Sequence, residues 1–227
     1  MRISCNTLSS LNWPWPGAVL LFLFSMGLSG QLAAQSRQSA QRFKAGVIFG
    51  VTASQIDGDI SAGYHKVGLQ GGLRGIVSLT QKQDASIELF FTQRGCRNQP
   101  KTFPEFNVTL NYIEVPVQWH YHDWAVNDES DDPEYYRVHL NLGLSYARLL
   151  DYKDKYELTA LSLALPELNR NSVCVLVGAS FFASKHLAFT FRYHRALNRL
   201  YRPDANGGGY DRSLNEHFLA FQTMYVF

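Results

Sequence analysis

Charged and polar side chains recur at alternate positions inside otherwise apolar stretches of this chain. Arg74, Glu88, Glu114, Arg192 and His194 stand out, with Gln70, Gln118, His120, His139 and Asn141 in the same relation to their neighbours. A period of two is the strand period, with successive side chains facing opposite ways. These residues therefore share the face turned away from the apolar one. Opposite charges held out of water must pair, because an unpaired charge in a low-dielectric interior is expensive. The five are read as a candidate interior ion-pair network. Its chemistry is either a static plug or a small polar gate or channel.

Other constellations carry less. Ser145, His139 and Glu114 share the inward parity, and a nucleophile, base and orienting acid within mutual reach could do acyl chemistry on lipid. No GxSxG-type turn presents the serine, however. The acidic run Asp128, Glu129, Asp131, Asp132 and Glu134 offers oxygen ligands of the kind calcium takes. It lacks the spaced ligands and fixed glycine of a calcium loop and reads as a solvated turn. Of three cysteines, Cys5 precedes an apolar run, so it is no lipoprotein acylation site. Cys96 and Cys174 read as small free hydrophobes. No CxxC or Cys/His spacing points to a metal, and neither metal, cofactor nor catalytic residue is expected.

The elements that must hold the polar face are strands. Residues 43–52 alternate Ala45, Val47, Phe49 and Val51 against Lys44, Gly46, Ile48 and Gly50. The same pattern recurs over 67–80, 85–94, 108–122, 137–147, 172–183 and 187–195. It closes in 216–227, where Leu219, Phe221, Tyr225 and Phe227 line one face with only Thr223 polar among them. Pro116 sits inside the fourth strand and removes a ladder donor, so a bulge or bend is expected there. Connections after the first, third, fifth and seventh strands are long, and the others shorter. This asymmetry suits a membrane barrel with long outer loops and short inner turns. Loop aromatics at 64, 103, 106, 152, 156, 201 and 210 are candidates for a partner surface or for membrane girdling.

Composition narrows the class. A net charge of +2 argues against a nucleic-acid surface. Aromatics make up 14% of the residues, too many for a disordered chain and suited to strands and membrane girdles. Mean hydropathy of −0.17 is too low for a bundle of membrane helices. At the N-terminus Arg2, the apolar run 18–28 and the small residues after it read as an export signal, with cleavage placed after Ala34 and Ala33 or Gly30 as the alternatives. The organisation is thus a signal peptide over 1–34, a polar leader over 35–42 and a β domain over 43–227. The expected fold is all-β, an eight-stranded antiparallel up-and-down transmembrane barrel. Such a barrel leaves an interior just wide enough for side chains, which favours the plug over the channel.

These stretches together resemble the PorT-like outer-membrane beta-barrel proteins of Bacteroidetes. The resemblance rests on FKAGVIFGVTASQIDGD, GYHKVGLQGGL, ASIELFFTQRG, LNYIEVPVQW and the aromatic C-terminus, and it covers 43–227. It implies an eight-stranded barrel in the outer membrane. It also implies that Phe221, Tyr225 and Phe227 belong to the closing strand read by the barrel-insertion machinery. The founding member of the family is implicated in type IX export of proteases. The expected function is therefore a non-enzymatic structural or interaction component, accessory to protein export or envelope assembly. Its partners would be outer-membrane lipid, the insertion machinery and envelope or secretion proteins met through the loops, with no nucleic acid. The competing functions are a narrow pore, a ligand-binding surface receptor and, less favoured, a lipid-modifying enzyme.

Overall fold

In a computed structural model, residues 42–58, 63–98, 107–127, 133–155, 168–202 and 213–227 are described. Eight strands follow one another: β1 (Phe43–Asp57), β2 (Lys66–Thr80), β3 (Gln83–Arg97), β4 (Asn107–Asn127), β5 (Pro133–Asp154), β6 (Asn171–Phe182), β7 (Leu187–Ala196) and β8 (Asn215–Val226). Each pairs antiparallel with the next, and β8 returns to β1, so the sheet closes on itself. Closure runs from Gly46↔Val226 to Asp57↔Asn215 without a slip. The closed ring satisfies the backbone groups that an open sheet edge would leave bare in hydrocarbon.

Strand alternation divides the side chains as the period of two requires. Phe49, Leu73, Ile87, Leu142, Phe191, Phe221 and Tyr225 lie exposed on the outside, while the residues between them are buried. In water this continuous band would be an aggregation surface. Against lipid it is the favourable face. The strand ends joined through 81–82, 128–132 and 183–186 lie at one end of the barrel, and the strand ends joined through 58–65, 98–106, 155–170 and 197–214 at the other. No described helix is long and apolar enough to cross a membrane.

The fourth and fifth strands are longer than their alternation suggests. They pair from Val108↔Asp154 to Asn127↔Pro133 and shorten the acidic turn to 128–132. Of the bulge or bend expected at Pro116, the register excludes the bulge. Its register with β5 is continuous through Val115↔Tyr146, Pro116↔Ser145 and Val117↔Leu144. Toward β3 the ladder skips from Ile87↔Val117 to Phe90↔Glu114 and resumes in step. The missing N–H therefore costs local pairing on one side and shifts nothing.

Two apolar clusters close the interior above and below its polar middle. Near the long connections lie Ile56, Leu110, Tyr112, Leu149, Leu200 and Leu214 with their neighbours. Near the short turns lie Ile48, Ile76, Phe90, Phe182, Met224 and Val226. Tyr201 belongs to the first cluster at 2% exposure, so it is a packing residue and not the loop-surface aromatic expected. Tyr64 and Tyr152 are exposed. Positions 103, 106, 156 and 210, the acidic run 128–132 and the leader and signal segment fall outside the described residues. Cys96 and Cys174 are both buried, and no disulfide joins them.

Candidate functional site: a polar lumen in two tiers

Inward parity on four strands brings the expected charges into the barrel, where they form two separate tiers. The first is built on Glu88 of β3. Arg192, on β7 at the opposite wall, donates from Nη1 to Glu88 Oε2 at 2.7 Å and from Nη2 to Oε1 at 2.9 Å. This bidentate fork is the strongest geometry available to a carboxylate and an arginine. Arg74, directly across the β2–β3 ladder from Glu88, adds a contact from Nε at 3.4 Å. Its Nη2 donates to His120 Nε2 at 2.7 Å, and Ser86 Oγ stands 2.8 Å from the same nitrogen. Arg74, Glu88 and Arg192 are at most 4% exposed. One carboxylate thus ties three walls together across the diameter of the ring.

The second tier centres on Arg94 of β3. Arg94 forms a close ion pair with Glu114 of β4 and reaches Glu216 of β8 at 3.4 Å. Its guanidinium lies between aromatic faces, 4.0 Å from the Phe218 ring centre and 4.9 Å from that of Tyr112. Such stacking adds to the binding of a desolvated cation. His194 of β7 places Nδ1 3.5 Å from Glu114 Oε1 and stacks on Phe218 at 4.2 Å. The five residues expected in one network are therefore divided. Arg74, Glu88 and Arg192 hold one tier, and Glu114 and His194 the other.

Between the tiers Gln222 Nε2 donates to Gln70 Oε1 at 2.7 Å, and Gln70 Nε2 donates to Thr92 Oγ1 at 3.1 Å. The two glutamines meet over Gly50, which pairs with both of them in the ladders of β1. Inward glycines elsewhere do the same for larger side chains. Gly178 lies across the ladder from Arg192, and a Cβ there would stand 2.8 Å from Arg192 Cγ and 2.4 Å from the Phe191 carbonyl oxygen. At Gly72 a Cβ would meet the Leu89 carbonyl oxygen at 1.9 Å and Phe90 Cδ1 at 2.7 Å. At these places a bare backbone faces a long side chain: Gly50 faces Gln70 and Gln222, Gly178 faces Arg192 and Gly72 faces Phe90.

Sequence reasoning missed Glu216 and Asp84 as interior charges and did not assign Arg94 to the network. Arg94 stood on the polar parity of its strand and was recoverable from that alone. Glu216 lies 122 positions from Arg94, and only closure of β8 on β1 brings them together. The acyl-transfer constellation is not assembled. Ser145 and His139 are six positions apart on one strand, about 20 Å at the strand rise, with Ser145 opposite Pro116 and His139 opposite His122.

A closed ring of eight antiparallel strands, apolar outside and filled by paired charges inside, defines a transmembrane β-barrel. The sequence matches the outer membrane protein beta-barrel domain family over residues 33–202, and the chain belongs to that family. Among solved structures it is similar to Ail, the attachment invasion locus protein of Yersinia pestis. Identity there is 12% over 81% of this chain and 98% of that one, with a TM-score of 0.42. OprG from Pseudomonas aeruginosa aligns at 10% identity over 82% and 94%, with a TM-score of 0.40. Neisserial surface protein A aligns at 10% over 83% and 99%, with a TM-score of 0.37. No curated protein matches the sequence.

Proposed function

We propose that this outer-membrane barrel acts at its rim and its lipid-facing wall and not through its lumen. It would be a non-enzymatic structural or interaction component, accessory to protein export or envelope assembly. The observation that carries this reading is the Arg192–Glu88 fork, which joins opposite walls across the ring. A solute would have to break a buried double ion pair to pass, at a cost of several kcal/mol. Activity is then left to the connections, where Tyr152 is exposed at the end of β5. By the convention of the class, the long connections face outward and the short turns face the periplasm. The PorT-like affiliation and the signal peptide cleaved after Ala34 belong to the same reading.

A photocrosslinking residue at Tyr152 in intact cells tests it. A discrete adduct with an envelope or secretion protein supports the reading, and adducts with lipid alone contradict it. In this reading the outward residues Phe221 and Tyr225 of β8, with Phe227 just after it, are the part read by the insertion machinery. Phe227→Asp should then lower the amount of barrel in the outer membrane several-fold while refolding into detergent in vitro proceeds as before. Equal membrane levels for the variant and the parent would remove that role.

A further inference from the structure

Asp84, His122 and His139 lie at the short-turn mouth of the barrel, outside both ion-pair tiers. Each is on a different strand, β3, β4 and β5, and register alone brings them together. His122 pairs directly with His139, and Asp84 pairs with His120 two residues before His122. One ligand atom from each falls within 4.8 Å of the others. The imidazoles stack at 3.8 Å on a floor made by Phe182, 4.2 Å below His139.

Hydrogen bonding within this group leaves donor atoms facing inward. His139 Nε2 is 3.2 Å from the Tyr136 carbonyl oxygen. A carbonyl only accepts, so Nε2 carries the proton and Nδ1 keeps its lone pair. This is the outer partner that metal-bound histidines commonly have. His122 Nε2 lies 2.8 Å from Asp84 Oδ2. Neither that nitrogen nor Asp84 Oδ1 makes an aligned hydrogen bond, although Asp84 is 6% and His122 8% exposed. Buried polar atoms left so are expensive, and a bound ion would satisfy them.

We propose that Asp84, His122 and His139 form a binding site for a divalent transition-metal ion, of which zinc is the first to test. Two imidazoles and one carboxylate suit zinc and its neighbours in the first row, whereas calcium and magnesium take oxygen. Zinc bonds of about 2.0–2.1 Å in tetrahedral geometry set donors about 3.3 Å apart. Binding would require the two stacked imidazoles, 22° apart in plane, to rotate until both in-plane lone pairs meet the ion. With three protein ligands, a fourth position remains for water at the mouth. The ion would clip the long β4–β5 hairpin to β3.

Calorimetric titration of the refolded, tag-free barrel with zinc chloride tests this, with calcium chloride as the second titrant. One zinc ion and no calcium should bind per chain. His122→Ala and His139→Ala should each weaken zinc binding by at least about tenfold, and His65→Ala, at an exposed position, should leave it unchanged. Absence of zinc binding by the parent, or equal binding by the His122→Ala/His139→Ala double variant, overturns the site. Zinc-edge X-ray absorption on the parent protein settles the ligands even where a variant fails to fold. A shell with two imidazoles supports the site, and a shell of sulfur or of oxygen alone overturns it.

Discussion

Glu88 accepts both hydrogen bonds of the Arg192 fork and lies in ion-pair contact with Arg74, so its loss strands two buried cations. Glu88→Ala should lower barrel stability by about 3–5 kcal/mol, read as a shift of the denaturant midpoint for folding into detergent. Replacing both Glu88 and Arg192 by methionine should cost less than Glu88→Ala, since one stranded charge is then removed with its partner. An unchanged midpoint for Glu88→Ala would show that the fork contributes nothing. Glycine positions give a second contrast. Gly178→Val places branched carbons where Arg192 Cγ and the Phe191 carbonyl already stand, and it should abolish refolding. At Gly71 a Cβ meets only ordinary contact, with Phe49 Cδ2 at 3.5 Å. Gly71→Ala should therefore be neutral or gain about 0.4–1 kcal/mol by restricting the unfolded chain. The interior location of Arg74, Glu88, Glu114, Arg192 and His194 was legible from parity. Their partition into tiers was not, because it depends on how far along its strand each residue sits once the ring has closed.

Each strand works as a two-faced element, and the penalty for a charge on its outer face depends on depth. Phe191, in the middle of β7 and packed on Phe221 at 4.9 Å, should cost about 2–4 kcal/mol on replacement by arginine. Phe43, at the start of β1 and 72% exposed, should cost about 0–1 kcal/mol for the same change. Unfolding of both variants from lipid vesicles measures the difference. Equal costs would contradict the depth assignment. All eight strands could be read from alternation, but their ends could not. β5 runs on to Asp154 although Arg148, Asp151 and Lys153 interrupt the outer apolar face, because its ladder with β4 and the inward Ala147 and Leu149 hold it extended. Pro116 misled for a similar reason. A proline forbids one hydrogen bond, and the ring has a second neighbour on the other side to keep the register.

At the scale of the whole molecule the barrel is sealed in layers. Apolar clusters lie at each end, two charged tiers lie between them, and a glutamine–threonine bridge separates the tiers. A functional route through the lumen would need all of these to open together. The sealed lumen supports the proposed reading, in which function lies at the rim and the membrane-facing wall. The most direct test is the current carried by the refolded barrel in planar lipid bilayers under an applied voltage. The account predicts insertion, shown by a heat-dependent shift in gel mobility, without discrete current steps. A stable open-channel current from protein carrying that mobility shift would contradict it.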